Sequence, residues 1–163
     1  GHKYAKKFGY DIDVQVDGDG QHDPSFISDM VEQIGSGYDL VIGSRFLEQT
    51  GGFQSTFLRR VGITWLSRVI KICTGKHITD PTSGFRACGP RAIDYFCKNY
   101  PVDYPEPDSI VSVLTQGLSV SEISVVMKER QGGASSLSGF SSAYYMIKVT
   151  LAIIISACSK KRC

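Results

Sequence analysis

The segment Asp17-Gly18-Asp19-Gly20-Gln21-His22-Asp23-Pro24 carries the densest chemistry in the chain. Two carboxylates one residue apart, followed by an amide, offer hard oxygen donors suited to Mg2+ or Mn2+. Mg2+ commonly takes one or two carboxylates together with substrate phosphates. Gly18 and Gly20 let the backbone bend and approach a ligand closely. Ile12, Val14 and Val16 alternate with Asp11, Asp13 and Gln15, so the motif lies where a strand ends. In open α/β sheets that is the edge where ligands bind. The segment therefore predicts a divalent cation bridging the chain to a diphosphate. Two plainer readings compete with it. An EF-hand loop needs Gly at its sixth position and an acid at its twelfth, but counting from Asp17 gives His22 and Ser28, so that reading fails. An ordinary acidic turn, with Asp capping backbone amides, stays open. His22 has no Cys or second His beside it and reads as structural or substrate-contacting rather than as a zinc ligand.

The elements that must position this segment follow from periodicity. Asp23-Pro24 pairs an N-cap with a first-turn proline, and Phe26, Ile27, Met30, Val31 and Ile34 give the amphipathic helix that follows. Tyr38 to Ile42 is a short apolar strand closed by Gly43, which completes a βαβ unit and implies a parallel sheet. A long helix over about 57–73 places Leu58, Val61, Trp65, Val69 and Cys73 on one face, with Trp65 read as core rather than as a sugar platform. Pro90 opens a short helix. Pro101, Pro105 and Pro107 mark a stiff loop, after which 108–116 reads as a helix. Ile123, Val125 and Met127 alternate as a strand, and Gln131 to Ser138 is a Gly/Ser-rich loop. Ala143 to Cys158 is apolar, with Lys160-Lys161-Arg162 behind it. It is too short for a comfortable membrane span and reads either as a core-packed helix or as one lying on anionic headgroups.

Composition bounds the rest. The chain has 163 residues, 42% hydrophobic and 21% charged, which suits one globular domain and excludes disorder and collagen-like repeats. Eighteen Lys and Arg against 16 Asp and Glu give a net charge of +2, too balanced to suggest nucleic-acid binding. The five cysteines lack metal-ligand spacing and read as reduced, mostly buried residues of a cytosolic-type compartment.

Three further segments follow the D-x-D region in order: Val41-Ile42-Gly43-Ser44-Arg45-Phe46, Asp80-Pro81-Thr82-Ser83-Gly84-Phe85-Arg86, and Arg130-Gln131-Gly132-Gly133-Ala134-Ser135-Ser136. Together the four resemble family 2 glycosyltransferases, the inverting group that includes dolichol-phosphate mannose synthase. The resemblance implies a GT-A fold, an α/β nucleotide-diphospho-sugar transferase architecture with a mainly parallel sheet and helices on both faces. It implies that Asp17 and Asp19 face the donor's ribose and diphosphate and hold the metal, with Gln21 completing the shell. Arg45 would lie near donor or acceptor phosphates, and Ser83 and Arg86 beside the acceptor. Arg130 would sit on a loop closing over the diphosphate. Arg59 and Arg60 read equally as acceptor-phosphate ligands or as a solvated helix face. Asp80, Glu106 and Asp108 are the candidate bases if the acceptor is a hydroxyl, whereas a phosphate acceptor is already an anionic nucleophile and needs none.

On this reading residues 1–139 form a partial GT-A domain lacking its N-terminal βα units, and 140–163 form the apolar helix with its basic tail. The partners expected are a nucleotide-diphospho-sugar donor and a polyprenyl-phosphate, lipid or glycan acceptor. The chain is placed in the cytoplasm, peripheral to the membrane if the last helix is interfacial. Because the lead-in before Ile12 is short, the chain alone is expected to bind sugar nucleotide poorly, to be inactive and to self-associate through an exposed sheet edge. Two rival readings are a non-catalytic cation-binding or membrane-tethered domain of the same fold, and a nucleotidyltransferase.

Overall fold

The computed structural model describes residues 1–47, 57–101, 105–127 and 140–159. Helix α1 (His2–Phe8) stops at Gly9, whose φ of 72° provides a left-handed cap. Strand β1 (Asp13–Gln15) follows. After the acidic loop, Asp23 accepts a hydrogen bond from Ser25 N–H at 3.0 Å. It thereby caps a short 3-10 turn, Pro24–Phe26, that runs into α2 (Ile27–Gly35). The helix start expected from Asp23-Pro24 is therefore present. Strand β2 (Leu40–Ser44) is buried along its whole length. The remaining elements are α3 (Phe57–Thr74), β3 (Arg86–Cys88), α4 (Pro90–Asn99), α5 (Pro105–Thr115), β4 (Val120–Ser124) and α6 (Phe140–Ser159).

The four strands form one sheet in the order β1-β3-β2-β4. Strands β2 and β4 pair in parallel, whereas β3 runs antiparallel to both of its neighbours, β1 and β2. Strands β1, β2 and β4 therefore share one direction, as the βαβ pattern predicts, but the reversed β3 is inserted between β1 and β2. The sheet is mixed. Periodicity reports which residues are extended and carries no information on strand direction, so the reversal was not visible in it.

Alternation along the strands builds a core on each face. Val41, Phe85, Ala87 and Val125 pack with Met30 and Ile34 of α2 on one side. Leu40, Ile42 and Cys88 pack with buried residues of α1, α3, α4, α5 and α6 on the other.

Three expectations need correction. The stripe Leu58–Val61–Trp65–Val69–Cys73 is only partly the core face of α3, through Val69 and Cys73. Leu58, Val61 and Trp65 are 81%, 51% and 53% exposed, while Ile63, Leu66, Val69 and Ile70 are buried. Trp65 is an exposed ring whose Nε1–H donates to Thr150 Oγ1 of α6 at 3.1 Å. Helix α3 has two apolar stripes at helical spacing, and tertiary packing chose the second. The proline-rich segment is also less of a loop than expected, since α5 begins at Pro105. Pro105 and Pro107 fall in its first turn, where a missing N–H is not needed. Finally, strand β4 ends at Ser124, and Met127 instead makes an isolated antiparallel bridge with His22.

Helix α6 packs on the core along one face and leaves apolar residues exposed on the other. Val149 and Ile153 are fully buried against the core, whereas Tyr144, Ile147, Leu151, Ile154 and Ile155 are 41–63% exposed. Among the described residues no helix is long and apolar enough to cross a membrane.

Candidate active site

The acidic loop leaves β1 and is held by the residues it surrounds. Asp17 N–H donates to His22 Nδ1 at 3.0 Å. That bond requires a lone pair on Nδ1, so the neutral ring carries its proton on Nε2, 3.8 Å from Asp17 Oδ2. The His22 ring is buried and stacks on Phe85 with centroids 4.8 Å apart. Burial pushes its pKa down, against the opposing pull of Asp17 and Asp19. His22 is thus a neutral post under the loop, in line with its structural reading. Asp19 Oδ1 accepts Gln21 N–H at 3.1 Å, which turns the chain and sets Gln21 two residues beyond the carboxylate.

The second chain segment at this edge is the loop before β3. A Cβ placed on Gly84 would lie 2.7 Å from Asp17 Oδ2, so a larger residue here would push the half-exposed carboxylate aside. Ser83 Oγ–H donates to Gly43 O at 2.7 Å, and Phe85 N–H donates back to Ser83 Oγ at 3.3 Å. Thr79 N–H and Asp80 N–H donate to the two oxygens of Glu122, at 2.7 and 2.9 Å. The loop is thereby stitched to β2 on one side and to β4 on the other. Glu122 was missed from sequence. A carboxylate in the middle of a half-buried strand is the signal that could have found it.

Arg45, one residue beyond β2, grips Asp80 in a bidentate pair. Its Nε and Nη2 donate to the two carboxylate oxygens at 2.6 and 2.7 Å. Nη2 also donates to Thr82 Oγ1 at 2.8 Å. The Arg45 and Asp80 side chains are 6% and 0% exposed. With both oxygens engaged by a guanidinium, Asp80 is no free proton acceptor, and its geometry is that of a residue holding Arg45 in place.

Arg86 lies deeper than its expected role at an acceptor would need. It is 5% exposed, and its guanidinium donates to Ser83 O, Ser109 Oγ, Pro81 O and Glu106 O. Those bonds tie the loop before β3 to the first turn of α5. Glu106 enters the network through its main-chain oxygen. Asp108 sits on the α6 side of α5, hydrogen-bonded to Ser156, with Oδ1 buried and unpartnered. It is not gathered with Asp17, Asp80 and Arg45. Arg59 and Arg60 are exposed in the first turns of α3. Arg60 lines a cleft of about 250 Å3 with Phe46, Ile63, Thr64, Ser67, His77 and Thr79, next to Asp80 in the chain. Arg130 lies outside the described residues.

Burial raises the pKa of Asp108, and Ser156 only partly opposes the shift. A folded-state value above the unfolded one favours folding at low pH, and that contribution is lost as pH rises through the folded value. The neutral isostere Asp108→Asn is therefore expected to be more stable than wild type at pH 7. The two should converge toward pH 4 in thermal melts across this range, whereas parallel melting curves at every pH would contradict the assignment.

The donor set of the acidic loop suits a hard cation. Asp17 is 52% exposed, Asp19 and Gln21 lie one and two steps along the same turn, and Gly84 leaves the Asp17 carboxylate uncovered. Two carboxylates and a carboxamide, without sulfur, fit Mg2+ or Mn2+.

No protein-family model matches the chain. It is 28% identical over 156 residues to a polyprenol monophosphomannose synthase of Mycolicibacterium smegmatis, covering 91% of this chain and 57% of that protein. It is 30% identical over 158 residues to an undecaprenyl-phosphate mannosyltransferase of Micrococcus luteus, covering 92% of this chain and 63% of that one. A UDP-N-acetylglucosamine–dolichyl-phosphate N-acetylglucosaminyltransferase of Methanococcus voltae is 33% identical over 94 residues, 57% of this chain and 38% of its own length. Among solved structures, the glucosyl-3-phosphoglycerate synthase of Mycobacterium tuberculosis superposes with a TM-score of 0.56 at 19% identity, over 91% of this chain and 50% of that one. The chain thus spans roughly three fifths of the length of the first two of these relatives.

Proposed function

We infer, from a chain that is a homologue of the family 2 glycosyltransferases and has their GT-A fold, that the protein moves a sugar from a nucleotide-diphospho-sugar to a polyprenyl phosphate with inversion. The observation that carries this reading is the convergence of two segments at the ends of β1 and β2. Gly84 lies against the Asp17 carboxylate, and Arg45 is locked by Asp80 beside them. Asp17, Asp19 and Gln21 would hold Mg2+ or Mn2+, which when bound neutralises charge on the departing nucleoside diphosphate. Asp80 positions Arg45 near the phosphates. A phosphate acceptor is itself an anionic nucleophile, so the lack of an unengaged carboxylate at Asp80 is no obstacle. Arg60 and its cleft are suited to the acceptor phosphate, and exposed Arg59 precedes it in α3. Since the chain spans roughly three fifths of those two relatives, it is expected to bind sugar nucleotide weakly by itself.

The lipid half of the reading rests on the outer face of α3 and α6. Leu58, Val61, Trp65 and Ile72 are exposed on α3, and Tyr144, Ile147, Leu151 and Ile155 on α6, with Trp65 bonded across to Thr150. Exposed Arg59, Arg60, Arg68 and Lys71 share α3 with these apolar residues, and Lys160-Lys161-Arg162 follow α6 in sequence. Apolar residues among cations suit an anionic bilayer surface, which supports a peripheral position on the cytoplasmic face. The test is label transfer by the intact protein from a panel of radioactive GDP- and UDP-sugars to undecaprenyl phosphate in anionic vesicles with Mn2+. Label in the lipid fraction supports the reading. In the variant Ile147→Glu/Leu151→Glu/Ile155→Glu, vesicle binding should fall about tenfold or more, because each buried apolar side chain is worth roughly 1.5–3 kcal/mol. No transfer with any donor, or vesicle binding untouched by the triple change, would overturn it.

A further inference from the structure

The end of the sheet opposite the acidic loop holds a cluster with a different chemistry. Asp13 opens β1 and stands directly across the antiparallel ladder from Cys88, the last residue of β3. His2 of α1 reaches over the same spot, with Nδ1 2.6 Å from Asp13 Oδ2. One ligand atom each from His2, Asp13 and Cys88 lies within 4.8 Å of the other two. We propose that these three residues form a second metal site, one for a borderline-soft divalent ion such as Zn2+.

Several features favour that use. The three donors come from three separate elements, α1, β1 and β3. A tetrahedral ion with bonds of about 2.0–2.3 Å spaces its ligands roughly 3.3–3.7 Å apart, so His2 Nδ1 and Asp13 Oδ2, now 2.6 Å apart, would open by under about 1 Å to admit it. The His2 ring is already oriented, flanked by Phe96 and Tyr100 with centroids 5.0 and 5.1 Å away. Cys88 is 4% exposed, while the side chains of His2 and Asp13 are 17% and 18% exposed. The sulfur therefore sits at the floor of the site, and the two other ligands border solvent, where water can enter and fill a fourth position. Thiolate, imidazole and carboxylate together select Zn2+ or Co2+ over Mg2+, so the two sites would not compete for one ion. Bound metal would pin α1 to the sheet and stabilise the chain by mass action.

Co2+ titration of the purified chain in excess Mg2+ tests the site. The expected result is one equivalent bound, with a thiolate-to-cobalt charge-transfer band in the near ultraviolet and tetrahedral d–d bands in the visible. Cys88→Ser should abolish the charge-transfer band, and Cys158→Ser, which alters an exposed thiol, should leave it unchanged. His2→Ala removes a partly exposed ligand that meets the core by stacking on Phe96, and should weaken Co2+ binding at least about tenfold even if Cys88→Ser fails to fold. Zn2+ should raise Tm by several degrees in wild type and by less in His2→Ala. Absence of the charge-transfer band, its survival in Cys88→Ser, or equal affinity in His2→Ala would overturn the proposal.

Discussion

Replacing Arg86 with leucine is expected to cost about 3–5 kcal/mol, a large fraction of the 5–15 kcal/mol typical of a folded domain. The guanidinium is buried and spends its donors on Ser83 O, Ser109 Oγ, Pro81 O and Glu106 O. Leucine supplies none of these donors, so at least two buried carbonyls lose their partners, at about 1–3 kcal/mol each. Arg86→Lys should lie between wild type and Arg86→Leu, because an ammonium offers three donors from one point where the guanidinium spreads five over a planar fork. Urea unfolding reads the difference as a fall in midpoint. A loss below about 1 kcal/mol for Arg86→Leu would show that the loop before β3 is held by something other than this residue.

The second large effect is at the Arg45–Asp80 pair. Arg45→Met leaves a fully buried carboxylate facing an apolar side chain, and Asp80→Ala removes the opposite charge from beside a nearly buried guanidinium. Each change is expected to cost about 3–5 kcal/mol. The double variant removes both charges together and should cost clearly less than the sum, with a coupling energy of about 1–3 kcal/mol. The cycle distinguishes a positioning pair from two independent residues. Additive losses would mean that Asp80 does not act through Arg45. In the intact protein, Asp80→Asn should keep part of the activity, whereas a catalytic base at this position would leave almost none.

What the sequence could and could not disclose follows from the range of each interaction. The acidic loop, the strand before it and the helix start at Asp23-Pro24 depend on neighbours in the chain, and the structure has them where local patterning put them. Asp17 and Asp19 stand out as candidate ligands for the same reason, whereas Arg45 and Ser83 are candidates through the resemblance alone. Their mutual arrangement was not legible. Arg45 and Asp80 are 35 residues apart, and Asp80 and Glu122 are 42 apart. Nothing local tells whether a buried arginine such as Arg86 faces a ligand or main-chain carbonyls. Helix α3 makes the same point for packing. Its two apolar stripes are equivalent to any periodicity, and only α5, α6 and the sheet decide that Leu66 and Ile70 go inside while Leu58 and Trp65 stay out. The cluster at His2, Asp13 and Cys88 escaped because cysteine spacing was read along the chain, whereas its three members meet only through the β1–β3 register.

The measurement that bears most directly on the central claim compares wild type with Asp19→Asn in the intact protein. Sugar transfer to undecaprenyl phosphate would be followed as Mn2+ is raised. Asn keeps the shape and one oxygen of the side chain while removing the charge that would hold the cation. The account predicts Mn2+-dependent transfer by wild type, and a loss of about 100-fold or more in Asp19→Asn at low Mn2+ with folding stability preserved. Equal transfer rates in the two proteins across the whole Mn2+ range would contradict it.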